Sequence, residues 1–187
     1  MWLWEDKMKK MSHKRCRAAA LTLIVCLWLS GCASSVPDFF AYRESGFCAE
    51  CRGVLFGESF CARLSAEPLA AGYRVTVEYL APESLAGVHI SAVCNKEGSG
   101  EGEATLTLHG VVRALPYAAA EGLLLPVKKL LQATALQSMC RTEAGWELKW
   151  ETGEVLSLTS DAIPSKFCSD SAEFWVVWWK NQDFPMK

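Results

Sequence analysis

The chain predicts a mainly β domain of the α+β class, built on one antiparallel sheet, and three observations carry that prediction. Tyr73, Val75, Val77 and Tyr79 alternate with Arg74, Thr76 and Glu78, the period-two pattern of a strand with one buried face. Segments of this kind recur along the chain, separated by short turns marked by glycine or proline, which suit hairpins. One long stretch has helical spacing instead. From Leu124 to Gln137, the residues Leu124, Val127, Leu131 and Ala135 fall on one stripe, with Pro126 suited to a helix N-terminus and Lys128, Lys129 and Gln132 outward.

The elements follow in order. Leu29-Ser30-Gly31-Cys32 ends the uncharged run AAALTLIVCLWL (18–29), and Lys7, Lys9, Lys10, Lys14, Arg15 and Arg17 precede it. A basic segment, an apolar run, two small residues and a cysteine have the layout of a bacterial lipobox. The run is shorter than the about 20 apolar residues a spanning helix needs. Residues 1–31 are therefore expected to be a lipoprotein signal peptide, with Met8 or Met11 a more ordinary start than Met1. Cys32 is the expected lipidation site and residues 32–37 a lipidated tether, leaving 38–187 as a single domain. Acyl chains such as palmitate contribute about 0.8 kcal/mol per buried methylene, which would hold the protein on the extracytoplasmic face of the cell membrane.

A helical turn is expected from Asp38 to Ser45, packing Phe39, Phe40 and Tyr42 on the fold. Phe47 to Phe56 and Glu58 to Glu67 read as a hairpin around Gly57, with Phe60, Ala62 and Leu64 alternating against Cys61, Arg63 and Ser65. Pro82 ends the next strand, and Val88, Ile90 and Ala92 alternate with His89 and Ser91 in the one after it. The polar stretch 95–102 (NKEGSGEG) reads as a hairpin tip. Glu103 to Leu108 returns with Leu106 and Leu108 inward, and Gly110 to Leu115 continues the meander. After the helix, Trp146, Leu148 and Trp150 alternate with Glu147, Lys149 and Glu151, and Leu156 and Leu158 come back after a Thr152-Gly153 turn. In the last strand Phe174, Val176 and Trp178 share one face and Trp175, Val177 and Trp179 the other, so both faces are expected to be covered.

Composition narrows the function. Once the basic leader is set aside the chain is acidic, and no basic patch with interleaved aromatics speaks for nucleic acid. Of nine cysteines, Cys48, Cys51, Cys61, Cys94, Cys140 and Cys168 lie after the lipobox; an even number in an exported domain permits up to three disulfides. Cys48 and Cys51 form a CxxC, but within a strand positions i and i+3 face opposite ways. His89 and His109 have no ligand-like spacing. No metal site, cofactor or catalytic residue is expected, because no Ser-His-Asp ordering, phosphate loop or acid pair occurs. The chain is thus expected not to be an enzyme.

The succession VTVEYLAPESLAGVHIS (75–91), GLLLPVKKLL (122–131), GWELKW (145–150) and the Ile163-Pro164 step resembles small lipoproteins of low-GC Gram-positive bacteria (Firmicutes, Clostridia). Those are similar in fold to the lipoprotein-localisation factors LolA and LolB and to the sensor domain of RseB/MucB. The resemblance implies a curved antiparallel half-barrel with a helical lid and an apolar interior for acyl chains. For the exposed-leucine loop of LolB it offers only Leu85 or Leu123 to Leu125. The expected function is an anchored, non-enzymatic binder of a lipid or lipopeptide, lined by Val75, Val77, Leu106, Leu108, Trp146, Leu148 and Trp150. The alternative uses the same scaffold as a protein-interaction module, an envelope, sporulation or germination accessory factor docking a membrane protein.

Overall fold

Eleven strands form one antiparallel sheet in the computed structural model, in the order β6-β5-β4-β3-β2-β1-β11-β10-β9-β8-β7. The structure describes residues 37–182 except 97, 101, 133 and 134; the leader, the lipobox and Cys32 lie outside the described residues. The strands are β1 (Phe47–Leu55), β2 (Glu58–Leu69), β3 (Gly72–Ala81), β4 (His89–Asn95), β5 (Glu103–Leu108), β6 (Val111–Pro116), β7 (Leu136–Arg141), β8 (Gly145–Trp150), β9 (Val155–Thr159), β10 (Pro164–Cys168) and β11 (Ala172–Asn181). Among the described residues two helices accompany them, α1 (Ala41–Ser45) and α2 (Tyr117–Leu131). Neighbours in the sheet are mostly neighbours in sequence, as short hairpin connections dictate. The one distant pairing is β1 with β11, which joins the two meanders at the centre. The terminal strands β6 and β7 do not pair, so the sheet is curved and open.

The inner faces of the strands and one side of α2 make a single core. Tyr73, Val75, Val77 and Tyr79 of β3, Ile90 of β4, Leu148 and Trp150 of β8 and Leu156 and Leu158 of β9 are all buried in it. Tyr117, Ala120, Leu124, Val127 and Leu131 of α2 face them, spaced three and four residues apart as a buried helix stripe requires. α2 touches β2 through β6 on one side and β10 on the other, so the sheet curls around it. This core lies within Pro37–Lys187, a compact unit with a hydrophobic core of its own.

Four expectations change. The helix spans Tyr117–Leu131 rather than Leu124 to Gln137, because the stripe extends upstream through Ala120 and Tyr117; Pro126 therefore sits inside it, and Ala135 lies beyond its end. Leu136 and Gln137 instead open β7, an edge strand exposed over most of its length. Lys129 and Gln132 do not point into solvent: with Thr152 they surround the Glu154 carboxylate, Gln132 Nε2 donating at 2.8 Å and Thr152 Oγ1 at 3.1 Å beside a Lys129 ion pair. Last, β11 carries a bulge: Glu50 pairs with Trp178 and Cys51 with Val176, so Val177 has no partner. The extra residue shifts the alternation by one. Trp179 turns inward, stacked on Phe47 at 4.5 Å, while Trp175, Val177 and Trp178 stand 45%, 51% and 49% exposed. One face of β11 is thus open, where the sequence predicts cover on both.

The C-terminal end of α2 is held from outside by α1. Tyr42 donates its hydroxyl to the Leu130 carbonyl at 2.6 Å, and the Arg43 guanidinium donates to the Gln132 carbonyl. A cation over the last carbonyls of a helix complements its dipole and satisfies acceptors that have no partner inside the helix. Arg43 is buried and stacks 3.8 Å over the Phe40 ring.

Candidate functional site

The residues singled out for a lipid lining divide by burial. Val75, Val77, Leu148 and Trp150 are closed inside the core, while Leu106 and Trp146 are half-buried against it. Leu108 is 37% exposed rather than inward and buried, because the β5–β6 hairpin carries it to the sheet margin beside the His109-Gly110 turn. None of the seven lines the apolar cleft of the described structure.

That cleft has a volume of about 490 Å³ and is walled by three separated parts of the chain. The β1–β2 hairpin supplies Leu55, Phe56, Glu58, Ser59 and Phe60; β3 and the turn after it supply Tyr79, Pro82, Ser84 and Leu85; α2 supplies Ala119, Gly122 and Leu123. Its size is that of a small-molecule site, and it shares their character of apolar walls with few polar groups. Tyr79 donates its hydroxyl to the Leu123 carbonyl at 2.9 Å, tying helix to sheet beneath the opening, and burial pushes its phenol up to about 12. Leu85 and Leu123, the candidates for an exposed-leucine loop, are half-buried against the core and form cleft wall.

Two positions shape the opening. At Gly122, a Cβ would meet nothing within 4 Å, so that turn of the helix leaves open space in front of it. Four residues later Pro126 offers no N–H for the Gly122 carbonyl. Phe56 sits at the hairpin tip with φ 52°, followed by Gly57 at 85°, the left-handed pair of a two-residue hairpin turn that favours Asn-Gly. A phenylalanine there is strained by about 1–2 kcal/mol, yet its ring is 65% exposed at the rim of the cleft. Its N–H donates to the Ser171 carbonyl at 2.8 Å.

A second surface lies on the outer face of the sheet. Glu50, Arg52, Arg63, Val177 and Trp178 surround a shallow concavity, and Lys166 stands 4.8 Å from the Trp175 ring. The cations here are paired: Arg52 with Glu50 and Arg63 with Glu78 at 2.9 Å each, and Lys166 with Glu173 at 2.6 Å.

The six described cysteines are all free thiols. Cys48 and Cys51 face opposite sides of β1, the first half-buried and the second buried, and burial pushes the Cys51 thiol up to about 12. Such a thiol is a poor nucleophile. Among the described residues no three His, Cys, Asp or Glu side chains gather as a metal site, and no helix is long and apolar enough to cross a membrane.

No protein-family model matches the sequence, and no curated protein matches it. Solved structures similar to the chain include two that cover most of it. One is an uncharacterized conserved protein from Thermus thermophilus, 20% identical, with a TM-score of 0.47, covering 79% of this chain and 87% of that one. Another is described as an outer membrane lipoprotein-sorting protein domain from Vibrio parahaemolyticus, 10% identical, with a TM-score of 0.46, covering 80% of this chain and 91% of that one.

Proposed function

We propose that the protein binds a hydrophobic ligand, a lipid or the acyl part of a lipopeptide, while Cys32 anchors it by its own acyl chains to the extracytoplasmic face of a membrane. The single observation that supports binding is the apolar cleft between the β1–β2 hairpin, the β3–β4 turn and α2. The ligand enters there rather than among the core residues around Val75 and Trp150, which are closed off from solvent. The anchor rests on the lipobox at residues 29–32.

Gly122→Leu tests the cleft without threatening the fold. A leucine at a mid-helix glycine raises helix propensity by about 0.8 kcal/mol, and its side chain has open space to enter. In the 37–187 unit, displacement of an apolar fluorophore should report binding that the variant loses at least about ten-fold, with unfolding stability unchanged or higher. A folded Gly122→Leu protein that binds like wild type removes the cleft as the site. For the anchor, the full chain should enter the detergent-rich phase on Triton X-114 partition and Cys32→Ser should lose its labelling by radioactive palmitate; a labelled variant would place the acyl chains elsewhere.

A second reading, a docking face for a protein partner, is favoured by Trp175, Val177 and Trp178, which leave an apolar strip on the outer sheet face. Gly122→Leu leaves that strip untouched, so partner capture that survives this variant and is lost in Trp175→Ser/Trp178→Ser would select it.

A further inference from the structure

The described walls of the cleft carry no cation. None of its described lining residues is Lys, Arg or His, and Glu58 is the one acid among them. Glu83 lies between the lining residues Pro82 and Ser84, and like Glu58 it is exposed. Glu50, Glu67, Glu78 and Glu173 on the outer sheet face are each ion-paired; Glu58 and Glu83 have no ion pair among the described residues. Phe56, two residues before Glu58, also lines the cleft and is 65% exposed at a backbone position that disfavours it. An accessible aromatic face beside carboxylates attracts ammonium groups through the ring quadrupole and through charge.

Resting on the cleft reading above, we infer that the ligand is a single-chain amphiphile with a cationic, ammonium-type head group, its chain in the cleft and its head beside Phe56 and Glu58 of the wall and the exposed turn that carries Glu83. A carboxylate or phosphate monoester head would meet two like charges and no compensating cation. The geometry therefore orders head groups by charge: cation first, uncharged second, anion last.

Three probes with the same twelve-carbon chain decide it: dodecyltrimethylammonium, dodecyl maltoside and laurate, each titrated below its micelle concentration against the 37–187 unit by calorimetry. The ammonium probe should bind about ten-fold tighter than laurate, the order expected of two carboxylates acting through partly aqueous surroundings, and the gap should narrow at 0.5 M salt. Glu58→Gln/Glu83→Gln should bring the three affinities together, and Glu58→Lys/Glu83→Lys should put laurate first. Both pairs are exposed, and circular dichroism identifies any variant that has lost the fold. Laurate binding as tightly as the ammonium probe to wild type, or an order unchanged in the Gln pair, overturns the head-group assignment and leaves the cleft standing. If none of the three chains binds, and Gly122→Leu makes no difference, the cleft reading falls and takes this inference with it.

Discussion

Phe56 shows the tension between stability and function within one residue. The hairpin turn it occupies demands a left-handed backbone that asparagine adopts with little strain and phenylalanine does not. Phe56→Asn should therefore stabilise the protein by about 0.5–1 kcal/mol, read as a higher urea midpoint at unchanged slope, while weakening the displacement of an apolar probe. Loss of stability would mean that the ring packs on the fold rather than waiting for a ligand. Gly53 makes the opposite point. Its absent Cβ would lie 2.1 Å from the Glu173 carbonyl oxygen and 2.6 Å from the Phe174 side chain, where β1 and β11 close the centre of the sheet. Gly53→Ala forces those strands apart and should destabilise by about 1–3 kcal/mol, visible in the same unfolding experiment. Neither role is legible in the sequence, where Phe56 and Gly53 read as ordinary members of a hairpin. The strain at Phe56 follows from the two-residue turn that the β1–β2 register sets, and the close approach at Gly53 is made by β11, distant in the chain.

At the scale of elements, legibility follows periodicity. β3, β4, β8 and β9 are readable because each has one buried and one wet face, and the alternation is then written in the residues. β7 has no buried face to impose alternation, and its first two residues, Leu136 and Gln137, pass for the tail of a helix. β11 alternates on paper, but its bulge at Val177 is a property of the pairing with β1 and leaves no local mark. The stripe of α2 reveals the helix and its proline misplaces it, since Pro126 suits a first turn yet occurs inside the helix. Beyond Pro126 the C-terminal end of the helix is anchored by Tyr42, Arg43 and the Lys129–Glu154 pair. Burial alone would raise the Glu154 carboxyl, but hydrogen bonding and charge from Lys129, with Thr152 and Gln132 also donating, hold it below the usual carboxylate range. A carboxyl depressed in the folded state stabilises that state above its unfolded pKa, and the contribution fades as pH falls through the folded value. Glu154→Gln should cost about 2 kcal/mol at pH 7 and make stability less dependent on pH below about 4.5, measured by urea unfolding at successive pH values. Wild type and variant with parallel profiles would show that the pair does not hold the helix.

The strands of the described residues form one open sheet, and openness leaves two edges to guard. β7 lies at one end and β6 at the other, and β6 shows apolar side chains on both faces: Val111 and Val112 stand 56% and 61% exposed. Its backbone groups on the outer side are a template for another strand. The strand contains one charge, Arg113, which pairs in register with Leu106 and so projects on the face that Leu106 turns toward the core. An inward-pointing charge on an edge is a known guard, because a second strand added there would bury it against its own apolar face. The apolar content of β6 is thus balanced by a single residue, and that balance becomes visible in the sequence only once β6 is known to be an edge. Arg113→Thr keeps a strand-favouring residue and removes the guard. The wild-type 37–187 unit should sediment as a monomer at concentrations where Arg113→Thr forms dimers or larger species, and adding Val112→Lys to the variant should restore the monomer by placing a new charge on the same edge. A monomeric Arg113→Thr protein would show that the curvature of the sheet, rather than its charge, keeps β6 from pairing.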